Sequence, residues 1–246
     1  MAVTGNERSA EAGGERGIEP VEHAPVYGLV VEHIRRAIHI GTFVAGDKLP
    51  PERELAKQIN VSRTTVREAI RVLEGEGYLE TRRGATGGVL VLDRGQAEER
   101  LAPLVRARLG ELEEIIDFRL AVECRAARLA AVRRDDRDLE RLSSAFRTME
   151  EGWETRRFRA ADSAFHLGIA EAARNEWMRK AIEDARVAIW VPVDTVIDDV
   201  FRTAQLHHGQ ILAAIRDCDS DAAELAVAAH IERTRADLHK IAAANS

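Results

Sequence analysis

The 246-residue chain has little of several things that would otherwise classify it. It carries two cysteines, Cys124 and Cys218, too few for a disulfide framework, and both fall in stretches of helical pattern. They read as small buried residues of a reducing compartment. No apolar run approaches the roughly 18 residues that a membrane-spanning helix needs. The N-terminus lacks the basic start and apolar block of a secretory signal, so a cytoplasmic location without a membrane partner is expected. Residues 1–24 are rich in Gly, Glu and Ala, lack apolar periodicity and carry a net −3, the pattern of a disordered acidic tail. There is no internal repeat and no low-complexity tract. Nor is there a strong field of one sign: the net charge is −6, divided as −3 for residues 1–24, +2 for residues 25–95 and −5 for the remainder. That distribution argues against unspecific coating of nucleic acid and is compatible with a modest local basic face. A hydrophobic content of 45% suits ordinary cores, in one large domain or two small ones.

What is present is concentrated first in residues 49–84, LPPERELAKQINVSRTTVREAIRVLEGEGYLETRRG. Pro51 can open a helix, because its missing N–H would go unpaired in a first turn. Leu55 and Ile59 give that helix a buried side, and Asn60 and Val61 make a turn. Ser62 is a good N-cap for a second helix. On that helix Val66, Ala69, Ile70 and Leu73 share one face, while Arg63, Arg67 and Arg71 form an adjacent stripe at i, i+4, i+8. One side is thus seated on its own domain and the flank is turned outward, as a major-groove recognition helix requires. Arginine suits bidentate contact to guanine and contact to phosphate, and Thr64 and Thr65 add contacts near the helix N-terminus. Tyr78, Leu79 and Thr81 predict one strand and 89–92 another. Arg82, Arg83 and Gly84 lie at the bend, where a basic wing reaches phosphates or a minor groove. An amphipathic helix pair with a solvated basic face is the plainer alternative. The order of cap, turn, arginine stripe and basic hairpin favours a winged helix-turn-helix on double-stranded DNA.

The same segment resembles the N-terminal domain of the GntR family of bacterial transcription regulators. The matching residues are Gly41, Gly46-Asp47-Lys48-Leu49-Pro50, Glu52-Arg53-Glu54-Leu55-Ala56, Val61-Ser62-Arg63, Thr65-Val66-Arg67-Glu68-Ala69, Leu73 and Gly77. The resemblance implies operator contacts by Arg53, Arg63 and Arg67 and by wing residues at Arg83 and Gly84. With Ser62 and Thr64 these make the expected DNA-binding set. Ala85-Thr86 departs from the shorter glycine-rich turn usual in that wing.

Beyond Leu92 the pattern changes. Residues 94–97 read as a linker between a DNA-binding domain at 25–93 and a second domain at 98–246. Helices are predicted near 97–109, 111–133, 136–152, 156–173, 176–190, 199–217 and 220–242. Gly110, Gly152, Arg174-Asn175 and Asp219-Ser220 act as separators. The expected architecture is mostly α: an N-terminal winged helix-turn-helix with a small β-wing, then an all-α antiparallel bundle of six or seven helices. Polar residues inside its apolar stripes stand out. Asp162 projects into the stripe of Phe158, Ala161, Phe165 and Ile169, and His166 lies one turn on at its edge. That i, i+4 spacing lets both ligate one ion. His208 falls between Ile211, Leu212 and Ile215, and His230 borders Val227, Ile231 and Leu238. Singly, each reads as a hydrogen-bonded core residue or a salt-bridge partner. Together, from three helices, they read as a metal tetrad. His207, His33, His39 and His239 read as surface or packing residues.

This second half resembles the ligand-binding FCD domain of the FadR-type branch of the same family. The resemblance rests on Asp162-x-x-Phe165-His166, Ala172-x-x-Asn175, His208-x-x-Ile211 and His230-Ile231. It implies that Asp162, His166, His208 and His230 hold a divalent ion, zinc first, with nickel or manganese as alternatives. It further implies that an organic acid completes the coordination and that Arg119 and Asn175 lie near that effector. Three neutral imidazoles and one carboxylate leave such an ion at about +1, suited to a carboxylate ligand. The expected whole is a non-enzymatic, metabolite-responsive repressor that binds an inverted-repeat operator as a homodimer. Two rivals stand beside it. One is a metal-dependent hydrolase-like enzyme carrying a DNA-binding domain, against which the absence of a nucleophile motif counts. The other is a regulator whose metal is purely structural.

Overall fold

Apolar residues at helical spacing build the first element. Val30, Val31, Ile34 and Ile38 form the buried face of α1 (Val26–His39). The computed structural model describes residues 26–84, 87–92, 98–151, 158–189 and 198–244, without the side chains of 98–101 and 198–204. The acidic tail at 1–24, the wing residues Ala85 and Thr86, the linker at 94–97 and the separator Gly152 lie outside the described residues.

After α1 come α2 (Glu52–Gln58) and α3 (Arg63–Gly75). Pro51 sits one residue earlier than a first helical position. It is the N-cap of α2, and its carbonyl accepts from Glu54 N at 2.7 Å and Leu55 N at 3.0 Å. Asn60 takes the left-handed conformation (φ 55°) that lets the chain reverse between the two helices, a region its short polar side chain tolerates. Ser62 caps α3 by accepting from Thr65 N at 3.0 Å. Gly77, at φ +76°, ends α3, and Tyr78 N closes back on Leu73 O at 2.8 Å. The wing follows as β1 (Leu79–Arg82) antiparallel to β2 (Gly88–Val91), in register Leu79 with Val91 and Arg82 with Gly88. The segment at Asp47–Leu49 lies along β2, with Leu49 N on Val89 O and Val91 N on Asp47 O, each at 2.9 Å. Val66, Ala69, Ile70 and Leu73 sit in one core with the α1 stripe, Leu55, Leu79 and Val91.

The second half holds six helices among the described residues: α4 (Glu98–Arg133), α5 (Asp136–Glu150), α6 (Phe158–Ala172), α7 (Glu176–Ala188), α8 (Asp198–Arg216) and α9 (Ser220–Ala243). Two helices predicted on either side of Gly110 are a single 36-residue helix, α4. A mid-helix glycine costs only about 1 kcal/mol. Val105, Leu112 and Ile116 continue one buried stripe across it, so packing against α9 outweighs that cost. Pro103 lies early in α4, where its ring removes one backbone bond. Asp135, Asn175 and Asp219 cap α5, α7 and α9 through their side chains. At Asp135 the bonding is reciprocal with Asp138.

The two halves meet where α1 faces α7. His39 is buried at this seam. Its Nδ1 lies 3.2 Å from Val187 O and its Nε2 2.9 Å from Tyr78 OH. A carbonyl only accepts, so Nδ1 carries the proton and the tyrosine donates to Nε2. Arg36 pairs with Glu183 and Asp184 of α7. Gly41 (φ +77°) packs against the start of α6, where an added Cβ would come within 2.6 Å of Ala160 Cα. Both its backbone conformation and that close approach require glycine.

Candidate functional site

The surface expected to meet DNA is exposed throughout. Arg53, Ser62, Arg63, Thr64, Arg67, Arg71, Arg82, Arg83 and Gly84 all lie open to solvent. Arg67 is held by Glu52 of α2, with Nη2 to Oε2 at 2.8 Å and Nε to Oε1 at 3.2 Å. That bidentate pair presents the guanidinium alongside the α3 stripe and keeps the Glu52 carboxyl below its ordinary pKa. Burial of Val66, Ala69, Ile70 and Leu73 on the adjacent face fixes which side of α3 is presented.

The second constellation is interior. His166 on α6, His208 on α8 and His230 on α9 are all buried, and one ring nitrogen from each converges within 4.8 Å. His166 Nε2 and His208 Nε2 are 3.3 Å apart, and Asp162 Oδ1 lies 3.3 Å from His208 Nε2 and 3.7 Å from His166 Nε2. Two nitrogens bound tetrahedrally at about 2.05 Å from one ion would be separated by about 3.3 Å. The His166–His208 pair therefore has the spacing of two ligands on one ion, with His230 joining within 4.8 Å. Asp162 lies beside two of the rings, outside that three-histidine group, and is bonded to Arg186. Nδ1 of His208 and Nδ1 of His230 are buried without a hydrogen-bond partner among the described residues, so the protein alone does not satisfy this cluster.

Two residues that sequence reasoning missed complete the surroundings. Glu123 accepts from His166 Nδ1 at 2.8 Å, which places that ring's proton on the outer nitrogen and turns the Nε2 lone pair inward. Glu123 is in turn bonded by Arg119 Nε at 2.6 Å. Burial by itself would raise the Glu123 pKa, but Arg119 and His166 more than reverse it and hold the carboxylate ionised. Arg186 on α7 is bonded to Asp162 Oδ2, and burial of that aspartate is likewise outweighed, by Arg186 first. Desolvation pushes His166 down to about 4 and His230 well below its ordinary value, so both rings are neutral, the form that ligates metals.

Arg119 is thus a buried partner of Glu123. Asn175 is the N-cap of α7, with its side chain accepting from Met178 N at 3.1 Å. His207 is half-buried, its ring centroid 6.2 Å from that of His230. A surface cavity of about 480 Å³ lies between α5 and α8, lined by Leu139, Phe146 and Leu212 among others, and contains none of the histidines. The Glu123 signal was available. Arg119 and Glu123, four residues apart, sit in the stripe of Leu112, Ile116, Ala126 and Ala130, where a charge pair is out of place.

A winged helix with an exposed arginine stripe, joined to an all-α bundle built round polar side chains, defines a transcription regulator of the winged-helix class. Residues 26–89 match the gntR family of bacterial regulatory proteins and residues 114–233 match the FCD domain. The chain belongs to the GntR family, in the branch that carries an FCD domain. It is 32% identical over 228 residues to the Exu regulon transcriptional regulator of Escherichia coli K12, covering 89% of this chain and 86% of that one. It is 27% identical over 232 residues to the Glc operon transcriptional activator of the same organism, covering 89% and 91%. Among solved structures, E. coli McbR/YncC shares the fold with a TM-score of 0.55 at 20% identity, over 89% of this chain and 99% of that one.

Proposed function

We propose that this regulator senses a small organic acid at a divalent ion held by Asp162, His166, His208 and His230, and binds an inverted-repeat operator as a homodimer. The observation that carries the reading is the 3.3 Å spacing of His166 Nε2 and His208 Nε2, with Asp162 Oδ1 beside them. Zinc is the first candidate, with nickel and manganese suited to the same donors. When bound, the ion would supply a Lewis acid for a carboxylate. Glu123 holds the His166 tautomer, and Arg119 balances the Glu123 charge. Operator contact falls to Arg53, Ser62, Arg63, Thr64, Arg67, Arg83 and Gly84, with α3 in the major groove.

The route between the halves runs along α7. Arg186 touches Asp162, and the next residue, Val187, accepts from His39 at the seam. An effector shifts the DNA-competent arrangement only by its differential affinity for the two states, and this seam is where those states would differ. The sign proposed is repression relieved by the acid, in a cytoplasmic protein. Purified His208→Ala should lose the ion, read as metal per chain by mass spectrometry. Wild-type stoichiometry would overturn the ligand set. Arg67→Ala should weaken operator binding in a gel shift, and undiminished affinity would overturn the α3 assignment.

A further inference from the structure

Two arginines are buried near the histidine cluster, and their bonding differs. Arg119 donates Nε to Glu123 Oε1 at 2.6 Å, and the other oxygen of that carboxylate serves His166, so the Nε prong of Arg119 is already occupied. Arg186, with a side chain 10% exposed, donates Nη2 to Asp162 Oδ2 and, at 3.3 Å, to Ser163 Oγ. Its Nε is buried and meets no acceptor among the described residues. Nε and Nη2 form the edge of a guanidinium that grips a carboxylate through two parallel N–H bonds. At Arg186 one prong of that fork is used, on a carboxylate that the ion also needs.

Charge counting then limits the ligand. Arg119 and Glu123 cancel, and an imidazole that ligates an ion does so in its neutral form. A divalent ion, Asp162 and Arg186 together leave about +2 in a desolvated space, where an unbalanced charge is strongly unfavourable. A monocarboxylate on the ion leaves Arg186 competing for Asp162. A ligand with a second carboxylate satisfies both.

We propose that Arg186 reads the second carboxylate of a small dicarboxylate whose first carboxylate lies on the ion. This rests on the metal reading above, names the effector class for that site and transfers to Arg186 the effector contact expected of Arg119. The test uses the full-length protein loaded with one zinc per chain and freed of excess metal. Titration calorimetry with succinate, malonate and acetate gives three affinities, and zinc content is measured before and after. The wild type should bind one of the two dicarboxylates at least tenfold more tightly than acetate. Arg186→Gln should keep its zinc and lose that preference, its dicarboxylate affinity falling at least tenfold while acetate changes little. Arg186→Lys, which keeps the charge without the fork and preserves a partner for Asp162, should fall between them. It carries the test should the glutamine variant not fold. Unchanged dicarboxylate binding in the variants, or a zinc-loaded wild type that does not distinguish succinate and malonate from acetate, overturns the role of Arg186 alone. A wild type that takes up none of zinc, nickel and manganese overturns the metal centre, and this inference with it.

Discussion

The two halves use the same residue type in opposite ways. In the winged half, Arg63, Arg67 and Arg71 stand in solvent, and the closest constraint is the surface pair of Arg67 with Glu52. Such a pair contributes little and exchanges easily for a phosphate or a base edge. In the bundle, Arg119 and Arg186 are withdrawn from water, and each has a carboxylate committed to it. An exposed arginine is available to a macromolecule. A buried one is structural unless a small ligand can replace its partner. Arg119 belongs to the first of these buried kinds, and Arg186 has the geometry of the second.

The largest effect should come from breaking a buried pair. Glu123→Ala leaves the Arg119 guanidinium and His166 Nδ1 without acceptors in the interior, a loss of about 3 to 5 kcal/mol by chemical denaturation. A cost under 1 kcal/mol would erase the contrast between the halves. Next is the seam. Gly41→Ala forces a side chain into a left-handed backbone against Ala160, and the unfolding midpoint should fall by an amount equal to about 2 kcal/mol. Asp138 then tests a charge shared between burial and surface. Burial would raise its pKa, but Arg174, the Asp135 N–H and Arg141 outweigh that and lower it below 3.8. A depressed folded pKa adds stability above the ordinary aspartate value and loses it as pH falls through the folded one. Melting temperature should therefore decline in acid less steeply for Asp138→Asn than for wild type. Ser62→Ala removes the cap of α3 and should cost about 1 kcal/mol, again by denaturation. Smallest is Arg63→Ala. Its stability should stay within about 0.5 kcal/mol of wild type, while operator affinity measured by anisotropy falls about tenfold. A large stability loss there would mean that the winged half also uses its arginines as internal supports.

The legibility of the chain follows the same division. The Ser62 cap, the turn at Asn60, the buried stripe of α3 and the arginines beside it are relations within about 15 residues, and local spacing was enough to find them. Helix placement in the second half was close for the same reason, except at Gly110, where a local breaker signal lost to a continuous buried stripe packed on α9. His166, His208 and His230 were legible as polar residues on apolar faces. Glu123 was within reach by the same criterion. Arg186 was not, because it lies beside its helix's stripe, and nothing nearby in sequence indicates that Asp162 is its partner.

By itself, then, the amino-acid order determined which helices form, which faces they bury and which arginines remain outside, because these depend on contacts a few residues apart. Only the tertiary structure decided that Arg119 is spent on Glu123, that Arg186 meets Asp162, and that His39 joins Val187 to Tyr78 across the seam. Each of those choices depends on which side chains far apart in sequence are desolvated together, and a buried charge takes whichever opposite charge or dipole the packing brings to it.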